Sequence, residues 1–398
     1  MSTALVVGGG IGGVTTAIAL ARIGWQVTVL ERAVSITDVG SGITLFPNAL
    51  RSLDALGAGD AVRAAGAPPP GAGLQKPDGR VVVDVSAVPS VGGIFAFHRA
   101  DLHRVLRSFL ADGVLRPGTE VTGADPAERP DGAGAQVSLA DGTTIAADLV
   151  VAADGLRSAV RAALWPDHPG PRYAGYTSWR AVTAEPVAGI EYGGETWGRG
   201  ERFGTLPLRD GRVYWFATAN VPPGAEGVAG GTPHDEVTRR FGGWHDPIPR
   251  LLAATPPGDV LHLDIHDLHL PLPPFARGRV ALLGDAAHAM TPDVGQGACQ
   301  AIEDAVTLAA ALAGEPDVPR ALSVYDDQRR PRTRSIVKAA RRTGRLAQAE
   351  GAVAVGLRDL LMRIVPASAS LRMVERITAW TPPPLPGDAH GGPGSRQS

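Results

Sequence analysis

An α/β fold is expected, in which a parallel, helix-flanked sheet carries an inserted antiparallel sheet. Three observations in the 398-residue chain lead there. Residues 3–32 read as strand, glycine-rich turn, helix, strand and acid. Asp148–Ala152 and Arg279–Leu283 are near-continuous apolar runs, as parallel strands covered on both faces require. Between them, from about Gly175 to Ala219, short strand-like runs alternate with Gly-containing turns, the pattern of an antiparallel sheet.

The first element pair carries the clearest chemistry. Its turn holds G-x-G-x-x-G at Gly8, Gly10 and Gly13. Gly8 permits the tight turn, Gly10 lets backbone approach a pyrophosphate, and Gly13 lets the helix pack on the strand. The helix N-terminus presents free N–H groups to phosphates. Glu31 lies eighteen residues after Gly13, near the roughly 20 expected of a carboxylate that accepts from a ribose hydroxyl. Alone, the glycine pattern is weak. With every element in order it reads as a Rossmann-like dinucleotide site, although it does not separate FAD from NAD.

Further along, Thr37–Pro47 is a small-residue loop placed near a ligand. Asn48–Leu56 has helical spacing with Gly57 as a C-cap. Residues 67–73 form a connection, and Gln75–Val85 a hairpin around Pro77-Asp78-Gly79. Arg99–Leu110 is an amphipathic helix, and a hairpin at Asp141-Gly142 leads into the strand ending at Ala152. The inserted strands are Trp179–Thr183, Glu195–Gly198, Arg202–Leu208 and Arg212–Thr218. A Gly/Pro loop, 222–233, a helix at His234–Phe241 and a strand at Leu261–Leu270 follow. Val294–Leu312 and Ala321–Gln348 are helices, the second kinked at Pro331. The expected domains are 1–72, 95–170 and 271–350 for the nucleotide and 73–94 with 171–270 for the substrate. Residues 351–381 are C-terminal helices and 382–398 a disordered tail.

Composition narrows the class. Hydrophobic content of 44%, charged content of 20% and a net charge of −2 suit a globular protein and give no sign of a nucleic-acid partner. The single cysteine, Cys299, excludes an intrachain disulfide, a redox pair and a cysteine metal cluster, and no metal site is expected. No apolar run reaches the ~18 residues of a membrane span. The expected location is cytoplasmic, as a monomer or homodimer.

The segment Val280–Ala305 then sharpens the ligand. Its strand ends at Gly284-Asp285, at the carboxyl edge where α/β proteins bind ligands, and Gly295-Gln296-Gly297 opens a helix whose N–H groups suit an electron-rich edge. This segment resembles the second FAD motif of the class A flavin-dependent monooxygenases, the aromatic hydroxylase family of salicylate, para-hydroxybenzoate and urate hydroxylases and zeaxanthin epoxidase. Asp148–Arg161, with Asp154-Gly155, resembles the family's middle motif, and His98–Arg104 its arginine-led helix. The resemblance runs from the first strand to about Gly344.

The resemblance implies a para-hydroxybenzoate hydroxylase-like fold with FAD as cofactor and NADH or NADPH as transient co-substrate. O2 adds at flavin C4a and one oxygen passes to an aromatic or electron-rich unsaturated small molecule. The cofactor-binding set it implies is Gly8, Gly10, Ile11, Gly12, Gly13, Glu31, Arg32, Ile43, Thr44, Arg99, Val121, Asp154, Gly155, Asp285, Pro292, Gly295, Gln296, Gly297 and Ala298. Arg202 and Tyr214, on consecutive strands, match an Arg and a Tyr that line the substrate site of urate-type members. A hairpin turning at Asp210-Gly211 would bring them near each other. Where those members carry Asn this chain has Ser178, which puts urate in doubt. A halogenase, Baeyer–Villiger-type oxygenase or reductase is the alternative, although the halogenase string W-x-W-x-I-P does not occur.

Some residues read as structural. His288 is expected to be held by neighbours, Cys299 to be a small buried residue, and the stripe Arg334, Lys338, Arg341, Arg342 and Arg345 to be a solvated helix face. Asp293 is expected to be a solvated loop carboxylate.

Overall fold

The computed structural model describes residues 1–35, 41–68, 73–84, 93–126, 134–190, 193–224, 231–364 and 367–386. The loop expected at 37–47, the connection 67–73, the hairpin end at Val85, the loop 222–233 and the C-terminal tail lie partly outside these residues.

The chain opens with β1 (Thr3–Val7), α1 (Ile11–Arg22), β2 (Gln26–Glu31), β3 (Gly42–Leu45), α2 (Pro47–Ala55) and α3 (Gly59–Ala65). It continues through β4 (Gly73–Gln75), β5 (Val81–Asp84), β6 (Phe95–His98), α4 (Arg99–Arg107), β7 (Leu115–Pro117) and β8 (Val121–Asp125). Then come β9 (Ala135–Leu139), β10 (Thr144–Ala147), β11 (Leu149–Ala152) and α5 (Ala159–Leu164).

The next strands are β12 (Arg172–Val182), β13 (Gly194–Trp197), β14 (Glu201–Pro207) and β15 (Val213–Ala219), followed by α6 (Pro233–Phe241) and α7 (Ile248–Ala253). Strands β16 (Leu261–Asp267), β17 (Ala276–Arg277) and β18 (Val280–Leu282) lead to α8 (Asp285–His288). The chain ends in α9 (Gly297–Gly314), α10 (Val318–Ala347), α11 (Ala352–Ile364) and α12 (Ala367–Thr378).

Six strands form one sheet in the order β17-β18-β11-β1-β2-β7, parallel from β18 to β7. Val6 on β1 sits between Val151 and Val29 and is fully buried. That is why these strands read as continuous apolar runs. Their core takes side chains from α1, α9, α10 and the small antiparallel sheet β10-β9-β8. Two glycines are required by contact. A Cβ on Gly13 would lie 1.9 Å from the Gly8 carbonyl oxygen, and one on Gly8, at φ +100°, would meet the Ala153 oxygen at 2.5 Å.

The second sheet has seven strands, β16-β12-β15-β14-β13-β4-β5. Strand alternation gives it two unlike faces. Trp179, Phe203, Trp215 and Ala217 point back into a core with Val237 and Phe241 of α6 and Leu251 of α7. Each large side chain buried there contributes about 1.5–3 kcal/mol. The front face carries three rungs across β12, β15 and β14: Ser178–Thr218–Arg202, Arg180–Phe216–Gly204 and Val182–Tyr214–Leu206. Gly204 is needed there, because a Cβ would strike the Phe216 ring at 2.2 Å.

Helix α10 continues through Pro331, which is exposed, for 30 residues. Two expectations need correction. The tail expected to be disordered from 382 is docked as far as it is described: Leu385 is 3% exposed, in a core shared with α2 and α9. Within the basic stripe of α10, Arg341 pairs with Asp267 and donates to the Leu268 carbonyl at 2.5 Å. Arg334, Lys338, Arg342 and Arg345 are exposed as expected.

Candidate active site

Four loops follow the carboxyl ends of β1, β2, β11 and β18, and they carry Gly8–Gly13, Glu31-Arg32, Asp154-Gly155 and Asp285. Glu31 is anchored in the glycine turn. Its Oε2 accepts from Gly9 N at 2.7 Å and its Oε1 from Ala33 N at 2.9 Å. His103 Nε2 closes the other side on the Gly9 carbonyl at 2.6 Å. Arg161, only 4% exposed, ties two loops together, donating to the carbonyls of Ala286 (3.0 Å) and Leu156 (2.6 Å).

The two aspartates differ in setting. Burial raises the Asp154 carboxyl, against Ser158 and the Val160 N–H, and Asp154 Oδ1 is sealed without a partner. Asp285 is crowded enough for desolvation to raise its carboxyl, against the pull of His288, Arg99 and Arg161, yet its side chain is exposed. Crowded and exposed together describe a group on the floor of a cleft.

Ile43 and Thr44 lie on β3, exposed Arg99 opens α4, and Pro292, Gly295, Gln296, Gly297 and Ala298 precede or open α9. A Cβ on Gly295 would press on the Phe46 ring at 2.9 Å. Ile11 is buried and Gly12 faces Leu283 and Ala301. Arg32 is exposed just beyond β2. Val121 turns its side chain into the core beneath β8.

A dinucleotide of the flavin type fits this cradle. Added Cβ atoms on Gly10, Gly155 and Gly297 would meet nothing within 4 Å, so those backbones face open space. Around them wait an unpartnered buried acceptor, Asp154 Oδ1, and an unpartnered buried donor, Gln296 Nε2. Buried polar atoms without partners are rare in folded proteins, and a ligand with hydroxyls and carbonyls would satisfy both.

Arg202 and Tyr214 are not brought together. The hairpin turns at Asp210-Gly211, but its register pairs Arg202 with Thr218 and Tyr214 with Leu206. The two are four residues apart along the sheet, about 13 Å. Arg202 is also not open to a substrate: it is 2% exposed, 2.8 Å from Asp293 Oδ1 and 3.6 Å from Glu195 Oε2. Burial works against its charge, and Glu195 and Asp293 more than offset that, so the guanidinium titrates above its usual range. Asp293 is likewise not solvated; its side chain is fully buried and also accepts from Tyr176 OH at 2.8 Å. The phenol near Arg202 is thus Tyr176. Tyr214 packs instead on β3, where a Cβ on Gly42 would fall 2.3 Å from its ring. Its hydroxyl makes no hydrogen bond to a described residue, burial raises its pKa, and Arg180 and Arg99 are the cations it feels.

A buried polar network behind α9 went unseen. Arg329 pairs with Glu303 at 2.5 Å and Asp304 at 2.6 Å, Arg332 pairs with Glu303, and Asn48 and Gln300 bond Gln296 and Glu303. His288 is held by Asp304 at 2.6 Å, and Asp304 also accepts from Gly284 N at 2.9 Å. A signal existed: Glu303-Asp304 are the two acids of a largely apolar helix, and buried acids require partners. Cys299 is fully buried, which pushes its thiol up to about 12.

The family described as FAD binding domain matches residues 1–340. The Aurachin C monooxygenase/isomerase of Stigmatella aurantiaca is 42% identical over 389 residues, covering 96% of this chain and 98% of that protein. The chain belongs to the class A FAD-dependent monooxygenases. It is therefore an oxidoreductase, and its cofactor is FAD. A second relative of the family is the 2-heptyl-3-hydroxy-4(1H)-quinolone synthase of Pseudomonas aeruginosa strain UCBPP-PA14, 34% identical over 386 residues (94% of this chain, 97% of that protein). Among solved structures, Klebsiella pneumoniae HpxO complexed with FAD and uric acid superposes with a TM-score of 0.86 at 30% identity, covering 95% of this chain and 97% of that one. The para-hydroxybenzoate hydroxylase-like architecture is thus that of the family. Among the described residues no helix is long and apolar enough to cross a membrane, and no group of three or more His, Cys, Asp or Glu is placed to hold a metal.

Proposed function

We propose that this monooxygenase consumes NADH or NADPH and places one oxygen of O2 on an electron-rich, nitrogen-containing bicyclic ring. The cytoplasmic pool of reduced nicotinamide is where it would work. When bound, FAD supplies the electron transfer and the activation of O2. The chain's own residues do the rest. The N–H groups of Gly10 to Gly13 would hold the pyrophosphate, Glu31 would accept from the ribose, and Asp285 would accept from the ribityl hydroxyls. Amides at Gly295–Ala298 would stabilise electron density gained by the flavin. Arg99, Asp154-Gly155 and the β3 backbone at Ile43 and Thr44 would complete the cradle.

The observation that carries the substrate reading is the front face of the second sheet. Toward β3 it carries an aromatic and apolar wall in which Phe216 and Leu206 are half-buried and Val182 and Tyr214 buried behind them, with Arg180 beside Phe216 and bonded to Ser178 Oγ at 3.2 Å, while Arg202, the cation expected to bind an anion, is committed to Asp293. A flat ring with a carbonyl edge suits this wall, with Arg180 and the Tyr214 hydroxyl orienting its heteroatoms. The relatives fit: one is named for a heptyl hydroxyquinolone, and HpxO was solved with uric acid.

The test is substrate-stimulated NAD(P)H oxidation by the FAD-loaded protein. A 2-alkyl-4-quinolone should stimulate more than salicylate; preference for the aromatic carboxylate would contradict the reading. Tyr214→Phe should raise KM by about tenfold without loss of FAD. Asp285→Ala should weaken FAD binding about ten- to a hundredfold, the worth of a charge-assisted hydrogen bond. Unchanged FAD retention would remove Asp285 from the cradle.

A further inference from the structure

A cavity of about 200 Å³ opens beside His288, between α10 and the segment leading from β16 to β17. None of the expected cofactor residues lines it. Its walls are apolar, from Leu268, Leu272, Phe275 and Val337. Its mouth is basic: Arg334 and Lys338 lie one turn apart on α10, both exposed, and neither pairs with a described residue. The nearby acids Asp267 and Asp326 are already engaged by Arg341 and Arg330.

The deep end is polar. His288 is 5% exposed and lines the cavity. Its Nε2 is committed to Asp304 at 2.6 Å, whereas its Nδ1 is sealed from solvent without any partner. A carboxylate accepts, so Nε2 carries a proton; Nδ1 accepts from a hydroxyl when the ring is neutral and donates to one when it is protonated. The cavity therefore presents a polar ring nitrogen at depth, an apolar middle and two exposed cations at the mouth.

We propose that this cavity is a second ligand site, built for a small aromatic carboxylate that carries a hydroxyl at its far end. The carboxylate would meet Arg334 and Lys338, the ring would lie among Leu272, Phe275 and Val337, and the far hydroxyl would hydrogen-bond His288 Nδ1. Through Asp304 the same histidine bears on the Gly284 N–H, the residue before Asp285, so a filled cavity would brace the turn that carries Asp285.

The probe is 6-hydroxy-2-naphthoate, whose fluorescence reports binding, titrated into the FAD-loaded full chain. Saturable binding at one equivalent is expected. The surface variant Arg334→Ser/Lys338→Ser should weaken it at least about tenfold, by losing charge-assisted contacts. Val337→Trp should abolish it by filling the cavity, and both variants should keep wild-type flavin content. The surface pair keeps the test decisive if the buried tryptophan disturbs folding. Absence of saturable binding, or binding that the Arg334/Lys338 variant leaves unchanged, would overturn the proposal.

Discussion

Arg202, Asp293 and Tyr176 join the second sheet to the segment that opens α9. Removing one partner of a buried ion pair strands the other charge. Arg202→Ala should therefore lower stability by about 3–5 kcal/mol, as should Asp293→Ala, and the double variant should cost clearly less than the sum. Urea denaturation of the four proteins checks this; additive losses would mean the pair is not coupled. Asp304 makes a second residue-level case. Burial alone would raise its carboxyl, but His288 and Arg329 outweigh it and hold it down to about 2. A depressed carboxylate stabilises the fold above its unfolded value and loses that contribution on acidification. The stability of the Arg329 network should then be complete above about pH 4 and fall as pH drops toward 2. Asp304→Asn should be much less stable at neutral pH and lose less on acidification. A melting temperature whose acid dependence is the same in both proteins would contradict this.

Elements were legible where the signal is local. The glycine turn, the apolar strands and the hairpin at Asp210-Gly211 follow from backbone sterics and alternation, and both sheets appear where these place strands. What was not legible depends on partners distant in sequence. The hairpin's register separates Tyr214 from Arg202, the burial of Asp293 depends on Arg202 and Tyr176, and Glu303 needs Arg329. Helix α11 adds an inversion. Arg358 is 3% exposed, donating to the Gly198 carbonyl at 3.0 Å, and Asp359 pairs with Lys76, while Val353, Leu357, Leu360, Leu361 and Ile364 face solvent. Its charged side holds it to the second sheet. Leu357→Lys/Leu361→Lys should therefore change stability by no more than about 0.5 kcal/mol per site, whereas Leu308→Ala in α9, fully buried, should cost about 2–5 kcal/mol. Thermal melts compare the two; a large loss in the α11 variant would mean that face is covered.

Across the whole molecule, the cleft floor comes from the parallel sheet and its wall from the inserted one. The chain's end returns to the first of these: Trp380 lies under both Arg329 and Arg332, 5.6 Å from each guanidinium, and Arg51 donates to the carbonyls of Thr378 and Trp380. The two-sheet design was readable from the sequence, because Asp148–Ala152 and Arg279–Leu283 bracket the insertion. How the ring-facing wall is furnished was not, because it follows from register and side-chain pairing. The wall's role as the place where oxygen reaches a substrate is tested most directly by turnover under ¹⁸O₂ with a 2-alkyl-4-quinolone, NAD(P)H and the FAD-loaded protein. The product should carry one ¹⁸O atom per NAD(P)H oxidised. Unlabelled product, or NAD(P)H oxidation that yields only hydrogen peroxide with this substrate, would contradict the monooxygenation proposed for this site.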